Sequence, residues 1–112
     1  MTAKPHSLAS APITLYDRGG HHISAELNAE DSLVIRGQDL GPPTGWEEYE
    51  YGFTVLPKDL PLIRAALRGN RDDDVLDLLA ASGERIVPAV KSWLDDVGAR
   101  YEFWSRIEVD DK

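Results

Sequence analysis

Trp46-Glu47-Glu48-Tyr49-Glu50-Tyr51-Gly52-Phe53-Thr54-Val55 is the stretch on which the reading of this chain turns. Tyr49, Tyr51, Phe53 and Val55 occupy every second position, with Glu48, Glu50 and Thr54 between them. Successive side chains of a strand point to opposite faces. This alternation therefore builds an aromatic wall on one side and a row of carboxylates on the other. On this reading the stretch is the central strand of one sheet. Helices cover its apolar face, and an acidic, partly aromatic face is left to solvent.

Immediately before it, Gly41-Pro42-Pro43-Thr44-Gly45 is excluded from a sheet, because proline lacks the ladder donor and glycine brings no packing side chain. Three earlier segments alternate in the same way: Ile13 to Asp17, His22 to Asn28, and Ser32 to about Gln38. Gly19-Gly20 between the first two is a two-residue hairpin signal, and Asn28 to Asp31 is a polar turn. Alternation points Leu15, Ile23, Ala25, Leu33 and Ile35 inward and Tyr16, Glu26, Val34 and Arg36 outward.

After Leu56-Pro57 the period changes from two to that of a helix. Asp59 is placed as an N-cap, with Pro61 in the first turn and Leu60, Ile63 and Leu67 at helical spacing, up to Gly69-Asn70. Asp72-Asp73-Asp74 opens a second helix that runs to Gly83. A third spans Arg85 to Val97, firm from Val87 because Pro88 is tolerated only near a helix start, and Gly98 ends it. Tyr101 to Val109 alternates again as a fifth strand. Tyr101, Phe103 and Ile107 share one face and Glu102, Trp104 and Arg106 the other. Both faces of that strand are bulky, so Trp104 outside and Trp104 inside are both open. The fold class expected is α+β, a mostly antiparallel five-strand sheet with about three helices packed on one face. One domain over 13–109 is expected, with a flexible tail over 1–12 and a loose end over 110–112.

Composition narrows the function classes. Apolar residues make up 42% of the 112, which is globular rather than disordered. No apolar run reaches the roughly 18 residues of a membrane span, and the first dozen residues lack the apolar block of a secretory signal. A cytoplasmic protein is expected. The absence of cysteine removes disulfides, thiolate catalysis and Cys-based zinc sites. Twenty carboxylates against twelve cationic side chains give a net charge of −8. That is the wrong sign for neutralising phosphates, and favours rapid capture of basic partners.

The candidate chemical sites reduce to structural roles. His21 and His22 are adjacent in a strand, point to opposite faces and do not chelate one ion. Asp72, Asp73, Asp74 and Asp77 lack the spacing, glycine and terminal Glu of a calcium loop, and suit the first turn of a helix. Glu48 and Glu50 share a face and can perturb each other. They have no nucleophile, nucleophile elbow or phosphate loop for company. No catalytic residue, metal or cofactor is expected. The remaining candidate is the outward sheet face, with Trp104 among charges in the manner of an interface hot spot.

A short, acidic, cysteine-free α+β domain carrying the strand from Trp46 to Phe53, and later Trp93-Leu94-Asp95-Asp96, Gly98 and Tyr101-Glu102-Phe103-Trp104, resembles the small immunity proteins of bacterial contact-dependent inhibition and polymorphic toxin systems. The likeness runs from about Ile13 onward. It is one of type, so no functional residue is carried over by position. It implies a protein that binds one cognate toxin and blocks its active site, by charge mimicry where the toxin is a basic nuclease. Asp39, Trp46, Glu47, Glu48, Glu50, Glu102 and Trp104 are the residues expected at such an interface, with Glu102 joining if the fourth and fifth strands are neighbours. Arg36 and Arg106 on the same face dilute its acidity. The alternative is a structural or regulatory domain that forms a homodimer through the same face.

Overall fold

The computed structural model describes residues 12–39, 47–70, 72–86 and 89–109, with side chains throughout except at 47–48, 84–85 and 106–109. The chain's first hairpin forms because Gly19 and Gly20 both take positive φ, 60° and 84°. That is the backbone a two-residue turn needs if it is to match the strand twist. It joins β1 (Ile13–Arg18) to β2 (His21–Leu27). Asn28 closes the next turn with its own side chain, whose Oδ1 accepts the N–H groups of Glu30 and Ser32 at 2.9 and 3.0 Å. β3 (Leu33–Asp39), β4 (Glu47–Val55) and β5 (Glu102–Val109) complete a sheet of order β1-β2-β3-β4-β5, antiparallel at every pairing.

The α+β class and the five-strand antiparallel sheet are therefore as the alternation predicts. The middle strand, however, is β3. β4 is interior, between β3 and β5, because β5 returns to pair with β4 rather than with an earlier strand. The Gly41–Gly45 loop, Pro88, the tail over 1–12 (but for its last residue) and the 110–112 end lie outside the described residues.

All three helices are inserted between β4 and β5. They are α1 (Leu60–Ala66), entered through a 3-10 turn at Pro57–Asp59, α2 (Val75–Ile86) and α3 (Val90–Val97). Asp74 rather than Asp59 is the aspartate that caps: its Oδ1 accepts the Leu76 N–H at 2.9 Å at the start of α2. α1 ends in two reverse bonds, Gly69 N–H to the Arg64 carbonyl at 2.8 Å and Arg68 N–H to that of Ala65 at 3.0 Å. This places Arg68, not the glycine, at positive φ (62°). Gly98 terminates α3 as expected, at φ 84°.

Two boundaries differ from the sequence reading. α2 runs through Gly83 to Ile86, so Arg85 and Ile86 belong to it and not to the third helix. Gly83 is a point of close approach: a Cβ there would sit 3.3 Å from the Leu15 carbonyl oxygen of β1. The strand under it is irregular. The β1–β2 register slips between Thr14 and Tyr16, so Leu15 is buried and Tyr16 falls opposite Ile23. Tyr16 is consequently packed against the core side rather than projecting outward as simple alternation requires.

The core fills the layer between sheet and helices. Ile23, Leu33, Ile35 and Val55 of the sheet meet Ile63 of α1, Val75 and Leu79 of α2 and Leu94 of α3, all fully buried. Burying each such side chain contributes about 1.5–3 kcal/mol of transfer free energy.

Asp59 has a different task from the one its position suggests. It is buried, and its Oδ2 accepts the Arg100 backbone N–H at 2.8 Å and Nε at 3.3 Å. The β4–α1 connection is thereby tied to the α3–β5 connection. The Arg100 N–H first, and then its guanidinium, hold the Asp59 carboxyl below the usual carboxylate range. A carboxyl whose pKa is lowered by folding stabilises the fold above its unfolded pKa of about 4, and the contribution is lost as pH falls through the lowered value. Asp59→Asn should therefore lower the melting temperature by several degrees at neutral pH. The gap from wild type should close on acidification below about pH 4. A gap that stays constant in thermal melts from neutral to acid pH would show that the ionised latch contributes nothing.

Candidate functional site

The outer face of the sheet is built by register. Trp104 of β5 lies opposite Gly52 of β4, which lies opposite Arg36 of β3, which lies opposite Ser24 of β2. Gly52 offers no side chain, and the Trp104 indole lies across it; a Cβ at Gly52 would overlap its Cε2, Nε1 and Cζ2 atoms. The indole remains 38% exposed, so it is a fixed aromatic surface presented to solvent. Beside it is a shallow depression of about 120 Å³, lined by His22, Ser24, Arg36, Gln38, Glu50 and Trp104. Arg36 reaches Glu26 at 3.5 Å. This pair, with the arginine exposed and the glutamate half-buried, partly offsets the arginine's positive charge on this face. Val34, on the same face, is buried.

Of the seven expected interface residues, Glu50 and Trp104 line this depression, and Glu102 stands two residues from Trp104 on the same face of β5, beside the Asp59–Arg100 pair. Asp39 does not join them. It lies opposite His21 and Tyr49 in the ladders and acts electrostatically on Tyr51, all on the helix-bearing face. The alternation that turns Leu33 and Ile35 inward carries Asp39 with them. Glu47 and Glu48 stand in the β4–β5 ladder opposite Val109 and Glu108, with their side chains outside the described set, as is Trp46 altogether. The two histidines part as expected. His21 bonds to Tyr51, while His22 lies 3.8 Å from Asp17. Among the described residues, no three His, Asp or Glu side chains converge on a point that could hold a metal ion.

The opposite face carries the aromatic wall that the alternation of β4 predicts, and Tyr16 and His21 extend it. A chain of rings runs from Tyr16 to His21, to Tyr51, to Phe53 and on to Phe103 and Tyr101, with centroid spacings of 5.2–6.1 Å. The His21 Nε2 and the Tyr51 hydroxyl share a hydrogen bond of 2.9 Å. Burial, and then the neighbouring Tyr49 and Asp39, push the Tyr51 phenol above its usual range. The helices cover this face only in part. Tyr49 and Phe103 remain 37% and 50% exposed, along a groove of about 230 Å³ rimmed by the first residues of α3. The signal in the sequence was Gly37, which the register sets opposite Tyr51 and which gives its ring a place to lie.

A third depression, of about 220 Å³, surrounds the Asp59–Arg100 latch and includes Leu56, Lys58 and Glu102. Nearby, Asp95 accepts the Tyr101 hydroxyl at 2.7 Å and Lys91 Nζ at 3.0 Å, pinning the end of α3 to the start of β5. These groups are engaged in holding the fold.

No protein-family model matches the chain, and no curated protein or solved structure matches it either. What the structure itself defines is an α+β domain with a five-stranded antiparallel meander, three helices on one face and a tryptophan-bearing opposite face. Among the described residues, no helix is long and apolar enough to cross a membrane.

Proposed function

We propose that this chain is a binding protein with no chemistry of its own, which captures one basic protein partner on the outer face of its sheet. The reading that fits its type is an immunity protein, acting in the cytoplasm to neutralise a cognate basic toxin such as a nuclease. The observation that carries the proposal is the exposed Trp104 indole, lying over Gly52 with Glu102 on its own strand and Glu50 on the next. A cationic side chain of the partner stacks on the free face of the indole while its charge meets the surrounding carboxylates. The net charge of −8 speeds the encounter, and the aromatic contact slows release.

The test begins with the neighbouring gene, where a large secreted protein with a variable C-terminal domain is expected. Titrating that domain against the chain should give an affinity that falls with salt, as charge-driven association does. Trp104→Ala should weaken it by roughly thirtyfold or more, the scale of a hot-spot residue. An affinity indifferent both to salt and to Trp104→Ala would overturn the proposal.

A further inference from the structure

The two edges of the sheet differ. β1 is short, six residues, and its register slips in the middle. Both are devices that discourage pairing with another chain. β5 has eight residues and a ladder to β4 with no slip, from Glu47↔Val109 to Thr54↔Glu102. Its sequence, Glu-Phe-Trp-Ser-Arg-Ile-Glu-Val, contains no proline, glycine or lysine to blunt it. It also carries two adjacent exposed aromatics, Phe103 and Trp104, one on each face.

We propose that two copies of this chain join edge to edge through β5, antiparallel about a two-fold axis at Trp104, making one ten-stranded sheet. The charge pattern and the two exposed aromatics together select this register. Residues directly opposite in an antiparallel pair share a face, so a symmetric pairing must centre on one residue. Centred on Trp104, it sets Glu102 opposite Arg106 of the second copy, twice. Because Arg106 already lies opposite Glu50 across the β4–β5 ladder, the row Glu50, Arg106, Glu102 of the second copy alternates in sign. Centred on Ser105, the pairing sets Glu102 opposite Glu108 twice. Centred on Arg106, it sets that arginine against itself. Centred on Ile107, it pairs Arg106 with Glu108 but covers only 105–109 of the strand and leaves the exposed Phe103 and Trp104 outside the pairing. Opposite-charge cross-strand pairs stabilise a sheet and like charges oppose it. The Trp104 indole leans back over Gly52, away from the edge, and leaves the backbone open to approach. Phe103 falls opposite the small Ser105 of the second copy, which gives its exposed ring cover. This dimer stands independently of the toxin reading, because it uses the strand's edge rather than the face.

Sedimentation equilibrium of the full chain, from micromolar to millimolar concentration, tests it. Wild type should show a monomer–dimer equilibrium that strengthens with added salt, because a net charge of −8 on each copy opposes association. That salt response is opposite in sign to the one expected for capture of a basic partner. Glu102→Arg and Arg106→Glu should each weaken the dimer by about tenfold or more, by placing two like pairs across the axis. The double variant should restore it. Circular dichroism of each variant confirms that the fold is kept. A wild type that stays monomeric throughout, or folded single variants that dimerise unchanged, would overturn the proposal. So would tightening by Glu102→Arg, which the Ser105-centred register requires, or a double variant no better than the singles.

Discussion

Gly37→Val is expected to cost about 2–3 kcal/mol of stability, although valine is by far the better strand residue. Gly37 lies opposite Tyr51, and a Cβ there would overlap the Cζ and hydroxyl end of the phenol ring. The strand has little room to give way, because Ile35 two residues earlier is fully buried and paired with Ala25 and Phe53. The ring must leave instead. It then loses its partial burial, its bond to His21 and its contacts with Tyr49 and Phe53. A part-buried aromatic, one hydrogen bond and the ring contacts together amount to about 3–4 kcal/mol, offset by about 1 kcal/mol of strand preference. Urea denaturation should show a lower midpoint at unchanged slope. In a Tyr51→Ala background the same substitution should be neutral or stabilising. An equal penalty in both backgrounds would mean that the ring is not the obstacle.

At the β1 edge of the sheet, Gly83→Leu should cost about 2–4 kcal/mol while Gly83→Ala stays near neutral. Alanine gains up to about 1 kcal/mol of helix propensity over glycine. It spends this on a Cβ held 3.3 Å from the Leu15 carbonyl oxygen and 3.6 Å from its Cδ2, a contact that closes with a slight adjustment. Leucine adds three carbons where the backbone of β1 already lies. α2 must then lift from the strand, and overpacking of this kind is expensive. Thermal melts give the size of the effect. Native-state hydrogen exchange locates it, since amides of β1 should open well before those of β3 and β4 in the leucine variant. Uniform loss of protection across the sheet would place the damage elsewhere.

Much of the architecture was legible because it rests on local rules. The glycine pair, the Asn28 turn, the alternation of β4 and β5 and the Gly98 stop each follow from a few neighbouring residues. What was not legible depends on contacts distant in sequence. The slip in β1 that turns Tyr16 inward has its counterpart in α2, where Gly83 admits the Leu15 backbone. Read alone, Gly83 looks like a helix end; opposite a strand it is a docking point. Asp59 likewise sits where a cap belongs, yet its partner is Arg100, 41 positions away. The misplacement of Asp39 was avoidable, since the parity that buries Leu33 and Ile35 also assigns its face. At the candidate site, the parity of β4 and β5 was enough to put Glu50, Glu102 and Trp104 on one face once the two strands were neighbours. The indole's seat on Gly52 followed only from the observed register.

The placement of every helix in the one link between β4 and β5 has a kinetic consequence. Four strands zip up through neighbouring turns, whereas the fifth must travel back across residues 56–101 before it finds its seat. Closing so long a span costs chain entropy that the hairpins avoid, which makes the arrival of β5 a late step on the route to the native state. Until then the raw margin of the nascent sheet is β4, with its tyrosines bare, and crowding of unfinished chains at that stage is where this protein is most exposed to aggregation.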